Sequence, residues 1–191
     1  MLQKQTAKKG FTIIEVVLVL AIAGLIFLMV FIAVPALQRN QRNTDRRQFY
    51  GRLGTSITNW KSNNNGKAIP TGNSTIMDAI IKGTGDLSAD PTAGNSVTLG
   101  GVATAYRNFQ VGSLSYNVSL RNYTGGGSQT VAMTDGRAQV IIIQNAMCTG
   151  TNRSITGNSI GLGAAEAGRT IVVGALEVSG TGADLYCIQA D

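Results

Sequence analysis

The residue whose position raises a chemical question is Glu15, which stands directly before a long apolar run. From Val16 to Leu37 the chain carries no Asp, Glu, Lys or Arg over 22 residues. An ionised carboxylate inside lipid costs about 2.5–3.5 kcal/mol on insertion scales, so a carboxylate here needs a partner or a route to water. An acidic residue in the first turn of a helix is also favoured by the helix dipole. The sequence alone leaves both explanations of Glu15 open.

The other residues that could do chemistry are two cysteines, Cys148 and Cys187. The chain has no histidine, so a catalytic thiol would lack its usual activating base. Two cysteines alone cannot form a four-ligand zinc site. The acidic residues show no spacing typical of acid–base catalysis, and residues 125–128 lack the Gly-Lys-Ser/Thr ending of a phosphate-binding loop. We therefore expect no enzyme activity, no cofactor and no metal site.

The apolar run predicts a membrane-spanning helix. Its 22 residues would form a helix about 33 Å long, enough to cross a hydrocarbon core of about 30 Å. The run is longer than the apolar region of an ordinary secretory signal, and no clear cleavage site follows it. Basic residues flank both ends of the run: Lys4, Lys8 and Lys9 before it, and Arg39, Arg42, Arg46 and Arg47 after it. The positive-inside rule therefore does not decide the orientation of the helix.

The stretch Lys8-Lys9-Gly10-Phe11-Thr12-Ile13-Ile14-Glu15 resembles the processing site of type IV prepilins and pseudopilins. Those proteins have a basic leader that ends in Gly, then Phe, then Glu early in the mature chain, then a long apolar run. The resemblance implies that a membrane-embedded prepilin peptidase cleaves between Gly10 and Phe11 and that Phe11 is then N-methylated. It also implies that Glu15 pairs with the N-terminal ammonium of a neighbouring subunit in a filament. Two costly buried charges would then cancel only when the register between subunits is correct.

Two residues of the run, Gly24 and Pro35, could interrupt its helix. Proline removes one backbone hydrogen bond and kinks a helix, and membrane helices tolerate such breaks. The resemblance implies local unwinding between Gly24 and Pro35 in a filament, and the alternative is a simple kink near the membrane exit. Pro35 lies about one helical turn, or about 3.6 residues, later than the commonest proline position in that family.

The apolar pattern predicts that the same helix continues to about Asn63. Phe49, Leu53, Ile57 and Trp60 follow the spacing i, i+4, i+8, i+11 of one helical face. Asn63 begins the sequence "NNNG", which is typical of a helix end. We therefore expect one helix from about residue 12 to residue 63, with its first half in lipid and its second half packed on a domain.

The four arginines that follow the apolar run allow two interpretations. They could bind DNA or anionic lipid, or they could form a headgroup-level anchor or a charged face packed between subunits. We favour the second interpretation. Because three lysines precede Phe11, the formal charge of +6 falls to +3 once residues 1–10 are removed. The sequence therefore supports nucleic-acid binding only weakly.

The rest of the chain predicts a short helix followed by β-strands. The segment "NSTIMDAIIKG" predicts a helix capped by Ser74 or Thr75 and closed by Gly83. Residues 84–112 predict a long loop with room for one strand. Four features predict an antiparallel sheet of four or five strands. They are the apolar–polar alternation in "SLSYNVSLRNY", a hairpin at residues 135–136, and the runs "RTIVVGALEV" and "DLYCIQAD". The expected fold class is α+β, in which a long N-terminal helix packs on this sheet as in pilins.

The predicted organisation has three parts. Residues 1–10 form a cleaved leader, residues 11–37 a hydrophobic transmembrane and assembly helix, and residues 38–191 a globular domain. The domain is divided into the amphipathic half of the helix, a connecting loop region, and the β-sheet with a disulfide-bounded C-terminal region: 38–63, 64–112 and 113–191. If the domain lies outside the cytoplasm, Cys148 and Cys187 predict one disulfide, similar to the disulfide that bounds the C-terminal region of many pilins.

The function implied by the resemblance is that of a structural subunit of a type IV pilus. The precursor would cross the inner (cytoplasmic) membrane once, with its C-terminal domain outside. Membrane lipid would hold it until an assembly platform adds it to a helical surface filament with copies of itself and minor pilins. The sequence does not choose among adhesion, twitching motility and DNA uptake. The alternatives are a type II secretion pseudopilin, a minor tip pilin, and a signal-anchored binding protein that never assembles.

Overall fold

A computed structural model describes residues 10–71, 73–85, 87–93, 97–99, 102–104, 106–125, 128–130, 133–134, 137–148, 154–156, 159–162, 165–178 and 183–191. Within these ranges the helices are α1 (Ile13–Asn63) and α2 (Ser74–Lys82). The strands are β1 (Ala89–Ala93), β2 (Val97–Leu99), β3 (Val102–Thr104), β4 (Tyr106–Val111), β5 (Leu114–Asn122), β6 (Ser128–Thr130), β7 (Met133–Thr134), β8 (Arg137–Gln144), β9 (Ser154–Thr156), β10 (Ser159–Gly161), β11 (Thr170–Glu177) and β12 (Ala183–Gln189).

Helix α1 confirms the prediction of one long N-terminal helix. It continues through Gly24 and Pro35 without interruption, so the single chain shows no unwinding there, and unwinding in a filament stays a prediction. The chain divides into two compact units, residues 1–40 and residues 41–191. In the described part of the first unit, the large apolar side chains are all exposed. Among the described residues, α1 is the one helix long and apolar enough to cross a membrane.

In the second unit, the apolar stripe of α1 packs on the main sheet as predicted. Phe49, Leu53 and Ile57 are fully buried, and Trp60 is half-buried against the same cluster. The ring of Phe49 lies 4.6 Å from that of Tyr116 on β5, measured between centroids. Aromatic and aliphatic burial of this kind is the main force that holds a helix on a sheet.

The main sheet contains more strands than the predicted four or five. Six strands follow the order β1-β4-β5-β8-β11-β12, and β7 pairs with the first residues of β8. All neighbours are antiparallel except β5 and β8, which are parallel, so the sheet is not purely antiparallel. Two parallel strands require a crossover connection, which brings the chain back to the starting end of the sheet before the second strand begins. The described residues also form two smaller sheets, β6-β10-β9 and β2-β3, and the fold class is α+β as predicted.

The prediction of a loop with room for one strand over residues 84–112 is wrong. These residues include β1 to β4, and both β1 and β4 belong to the main sheet. Among the described side chains of β4, Phe109 and Val111 are the buried apolar ones, so the local pattern is short. Its pairing with β5 through a tight turn at Gly112, whose φ is 58°, makes it a strand. Context of this kind commonly overrides local β-propensity.

The predicted cap of α2 also needs correction. The N-cap residue is Asn73, whose side-chain oxygen accepts a hydrogen bond from the backbone N–H of Ile76 at 3.2 Å. Ser74 is the first helical residue, so neither Ser74 nor Thr75 caps the helix. The predicted end at Gly83 is confirmed. Asparagine caps as well as serine because its short side chain reaches the same free N–H groups.

The central strands of the main sheet are buried on both faces. Val140 of β8 and Val172 of β11 face the cluster that includes α1, while Ile141 and Val173 face a second cluster. The second cluster also contains apolar residues from the segment after β8: Ala146, Cys148, Ile160 and Leu162. Two-sided burial explains the continuous apolar runs "VIII" and "TIVV", since strands that are buried on both faces do not alternate.

The predicted hairpin around residues 135–136 agrees with the pairing of β7 and β8. Thr134 pairs with Arg137 and Met133 pairs with Ala138, so two residues connect the strands. This length is typical of a hairpin with an Asp-Gly turn. The turn residues themselves lie outside the described residues, so their predicted positive φ angles stay a prediction.

Candidate processing and assembly sites

The predicted cleavage pair lies just before α1 in exposed backbone. Gly10 and Phe11 are both exposed and neither belongs to the helix. The Phe11 side chain is 89% exposed. A peptidase needs its target backbone accessible and free of helical hydrogen bonds, and both conditions hold here. The leader residues 1–9 lie outside the described residues.

Glu15 forms a reciprocal cap at the start of α1 with Thr12. Its Oε2 atom accepts hydrogen bonds from the backbone N–H and from the hydroxyl of Thr12, each at 2.8 Å. In return, the backbone N–H of Glu15 donates to the Thr12 hydroxyl oxygen at 3.4 Å. This is a capping box, whose signature is Thr-x-x-Glu. The sequence analysis considered the helix dipole for Glu15 but missed Thr12, although the signature is visible in the sequence.

The capping box places the Glu15 carboxylate close to the predicted cleavage point. Thr12 follows Phe11 directly, so cleavage between Gly10 and Phe11 would create a new ammonium group one residue from the Thr12 N–H that the carboxylate now binds. The carboxylate therefore lies near the place where the new positive charge would form. In the uncleaved chain it is held by its own helix terminus.

The surface of residues 11–37 is apolar on all sides of the helix. Nineteen large apolar side chains of this segment are exposed, from 39% at Val34 to 89% at Phe11. Soluble monomers rarely expose contiguous apolar patches larger than about 300–600 Å². A helix that is apolar all round belongs in a membrane or in the core of a helical assembly.

Two of the four arginines after the apolar run, Arg42 and Arg46, contact a single carboxylate, that of Glu177 at the end of β11. Arg42 donates to it from Nε at 3.0 and 3.1 Å and from Nη2 at 2.7 Å. Arg46 forms an ion pair with the same carboxylate at 2.6 Å. Asn43 adds two bonds at 2.8 Å to the Glu177 backbone, one to its carbonyl and one from its N–H. The residues Arg42, Asn43, Arg46 and Glu177 are called the Glu177 cluster below.

The arginines after the apolar run, which the sequence analysis interprets together, lie in different environments. Arg46 is only 2% exposed, so it belongs to the interior of the domain, and Arg42 is ion-paired. Arg47 instead lies over the ring of Tyr186, 5.5 Å from its centroid, which is within range of a cation–π interaction. Local periodicity could not reveal the cluster because Glu177 lies 135 residues after Arg42.

The environment of Glu177 favours its ionised form. Burial by itself raises the pKa of this carboxyl, but the hydrogen bonds and positive charges of Arg42 and Arg46 outweigh burial. The net pKa lies below the usual value of 4.5. Two guanidinium groups share one carboxylate, so the cluster keeps a net positive charge.

The predicted disulfide is present. Cys148, which follows β8, is bonded to Cys187 of β12, and their Cα atoms are 5.7 Å apart. Both cysteines pack with the second apolar cluster. The bond closes a loop with a sequence separation of 39 residues, which the chain-entropy model values at about 4 kcal/mol. Cys148 and Cys187 therefore tie the segment between them to the edge strand of the sheet.

The described residues contain no group of three or more His, Cys, Asp or Glu side chains that could hold a metal ion. Two charged residues that flank the described C-terminal strands, Arg169 and Asp191, form an ion pair. Asp191 accepts hydrogen bonds from Arg169 at 2.6 Å and from the Thr170 N–H at 2.9 Å.

Comparison with known families identifies one segment of the chain. Residues 5–31 match the family model of the prokaryotic N-terminal methylation motif. No curated protein and no solved structure matches the chain. The motif, the long apolar helix and the disulfide are together consistent with a type IV prepilin-like protein. The motif indicates a pilin- or pseudopilin-type substrate of prepilin peptidase.

Proposed function

We propose that this chain is a structural subunit of a type IV pilus. Prepilin peptidase cleaves it between Gly10 and Phe11, Phe11 is N-methylated, and the subunit polymerises through residues 11–37 into a surface filament. The proposal rests on one observation, which is that the methylation motif and the exposed apolar segment occupy the same part of the chain. The methylation motif at residues 5–31 overlaps residues 11–37, whose nineteen large apolar side chains are all exposed in the single chain.

The exposed apolar surface of residues 11–37 is covered in two environments, one before assembly and one after it. Lipid covers residues 11–37 before assembly, and the same segment of neighbouring subunits covers them afterwards. Because lipid is as apolar as another helix, the hydrophobic effect gives little preference for the filament. Packing and charge pairing must supply that preference. The charge available for this purpose in the segment is Glu15.

Glu15 gives assembly its specificity in this proposal. A carboxylate and an ammonium group are each costly in apolar surroundings, and pairing removes most of the cost only when the two groups meet. The ammonium of Phe11 on one subunit meets the Glu15 carboxylate of its neighbour when the axial register is correct. The hydrogen bonds from Thr12, at 2.8 Å, hold the carboxylate at the helix terminus until that partner arrives.

The partners and location follow from the same proposal. The precursor crosses the inner (cytoplasmic) membrane once and keeps its domain outside, where an oxidising compartment permits the Cys148–Cys187 bond. An assembly platform in the membrane moves it into a filament with copies of itself and minor pilins. A type II secretion pseudopilin carries the same kind of processing motif and is the second candidate, and the disulfide favours the pilus.

The test uses assembly-competent cells that contain prepilin peptidase. We expect Gly10→Val to block cleavage and filament formation together, because a branched side chain at the scissile bond obstructs the peptidase. Glu15→Ala should be cleaved normally and yet form no filaments. The matched control is Glu166→Ala, since Glu166 is exposed and lies far from the motif in sequence. Filaments that contain Glu15→Ala at wild-type abundance would refute the role of Glu15, and filaments of uncleaved chains would refute the proposed function.

A further inference from the structure

Two arginines at the start of the second unit, Arg42 and Arg47, reach solvent, and among the described residues only Arg42 of the two has an ion pair, which it shares with Arg46. The Arg42 side chain is 41% exposed, and its bonds to Glu177 use Nε and Nη2. Glu177 is shared with Arg46, so one carboxylate faces two guanidinium groups. Arg47 is exposed and rests on Tyr186, and within the described part of the chain it has no ion pair. We call Arg42, Arg47 and Tyr186 the basic ring.

The two arginines of the basic ring lie at nearly one level of α1 but on different sides of it. Five residues separate them, which corresponds to a rise of about 7.5 Å and a rotation of about 140° around the helix axis. A protein partner with one binding face would contact one side of the helix. A bilayer surface extends along every side of the helix that the domain leaves exposed, so it reaches both arginines at once.

The covalent chain places the basic ring near the end of the apolar run. Leu37 is the last residue of the run, and five residues later the chain reaches Arg42. Even a fully extended segment of that length spans no more than about 18 Å. When residues 16–37 cross a bilayer, Arg42 therefore stays close to the boundary between hydrocarbon and water.

From these observations we propose that the basic ring binds the phosphate headgroups of anionic phospholipids. The planar guanidinium group matches phosphate through paired hydrogen bonds. A tyrosine ring is typical of the membrane interface, and Tyr186 orients Arg47 by stacking beneath it. The inference rests on the proposed function, since it concerns the membrane-held precursor before assembly. Each arginine near an anionic surface contributes about a fivefold preference for it at low salt.

The experiment uses the full uncleaved chain in nanodiscs and detects lipid contact by photo-crosslinking. A benzophenone amino acid replaces Gln48, which is exposed beside Arg47, and in a matched control it replaces Asn59, which is exposed further along α1. One set of nanodiscs contains phosphatidylcholine alone, and the other contains phosphatidylglycerol as well. We expect lipid crosslinks at position 48 to increase several-fold with phosphatidylglycerol and to fall at about 0.5 M NaCl, where surface charge is screened. Position 59 should show neither effect.

A substitution of Arg47 then tests whether the lipid crosslinks depend on the basic ring. Arg47→Gln should reduce the phosphatidylglycerol-dependent crosslinks about fivefold, because it removes one guanidinium without disturbing the Glu177 cluster. Arg169→Gln is the matched control, since Arg169 is half-exposed and paired with Asp191, and it should leave the crosslinks unchanged. Equal crosslinking in both lipids, or no effect of Arg47→Gln, would overturn the proposal. Crosslinks to a second copy of the chain instead of lipid would overturn it too, and would assign the ring to subunit contact.

The outcome for the ring can be separated from the outcome for the proposed function. Nanodiscs of the same lipids are also prepared with the chain and prepilin peptidase in one bilayer, and cleavage before Phe11 is measured by mass. A chain that is cleaved but shows no lipid-dependent crosslinks refutes the basic ring alone. A chain that shows the crosslinks but resists the peptidase keeps the lipid-binding inference and refutes the pilus assignment.

Discussion

Replacement of Glu177 by glutamine is the perturbation that tests the packing of α1 on the sheet most sharply. The change keeps the size of the side chain and removes its charge. Arg46 is 2% exposed, so its guanidinium would remain buried without a carboxylate. Its other hydrogen bond among the described residues goes to the side-chain oxygen of Asn43 at 3.3 Å. The backbone bonds between Asn43 and Glu177 would persist.

The expected loss of unfolding free energy is about 2 kcal/mol. Removal of one partner from a fully buried ion pair costs about 3–5 kcal/mol. The value here should be smaller because Glu177 is 20% exposed and Arg42 is 41% exposed, so water screens part of the interaction. The glutamine oxygen also keeps one acceptor for Arg46. With a urea slope of about 2 kcal/mol per M, the unfolding midpoint should fall by about 1 M.

The assay is urea unfolding of the full chain in a nonionic detergent. Trp60 is the single tryptophan and is half-buried against the core, so its fluorescence reports unfolding of the domain. Glu166→Gln is the matched control, because Glu166 is exposed, and its midpoint should stay within about 0.5 kcal/mol of wild type. The double variant Arg46→Met with Glu177→Leu should recover most of the loss, since apolar residues often replace a buried pair without cost.

Two results would refute this reasoning about the Glu177 cluster. A loss below about 0.5 kcal/mol for Glu177→Gln would place the substitution among ordinary surface changes. A double variant no more stable than the single variant would show that the uncompensated charge of Arg46 is not the cause of the loss. Either result would mean that apolar burial alone fixes this end of α1.

Three further predictions concern acid, a close packing contact and the disulfide. The folded-state pKa of Glu177 lies below its usual 4.5. The ionised carboxylate therefore contributes fully to the unfolding free energy well above pH 4.5, and this contribution is lost as the pH falls through the folded-state pKa. Urea midpoints measured over this pH range test the prediction. Gly174→Ala should cost about 1–3 kcal/mol in urea unfolding, because a Cβ there would overlap the ring of buried Tyr50. Reduction of the Cys148–Cys187 bond should lower the unfolding free energy by up to about 4 kcal/mol in the same assay.

Each of these predictions has a control or a contradicting outcome. If Glu177→Gln loses as much stability on acidification as wild type, another carboxyl causes the acid effect. Gly51→Ala is the matched control for Gly174, since nothing lies within 4 Å of a Cβ at Gly51, and it should gain about 0.5–1 kcal/mol from helix propensity. An unfolding midpoint that is unchanged by reduction would contradict the stabilising role of the disulfide.

The features predicted correctly from sequence are those that a local pattern determines. The i, i+4, i+8 spacing of Phe49, Leu53 and Ile57 marks the buried face of α1 without knowledge of its partner. The apolar runs of β8 and β11 are strong enough to predict strands on their own. The methylation motif is also local, and the residues that it covers, 5–31, include Gly10, Phe11 and Glu15.

The features that the sequence did not predict depend on contacts between distant residues. Strand β4 is polar at three of its six positions, Arg107, Asn108 and Gln110, and becomes a strand through pairing with β5. The parallel pairing of β5 with β8 leaves no mark in either strand. The shared partner of Arg42 and Arg46 was not predicted, because Glu177 lies 135 residues after Arg42. The Thr12 cap is different, since its signature was present in the sequence and was missed.

The measurement that tests the central claim most directly is the intact mass of this protein in filaments sheared from the cell surface. The proposal predicts abundant chains that begin at Phe11, lack residues 1–10, and carry one methyl group on the new terminus and one intact disulfide between Cys148 and Cys187. Processed chains found only in the cell envelope would support the pseudopilin or minor-subunit alternative. Chains that still carry residues 1–10 in active cells would contradict the assembly account as a whole.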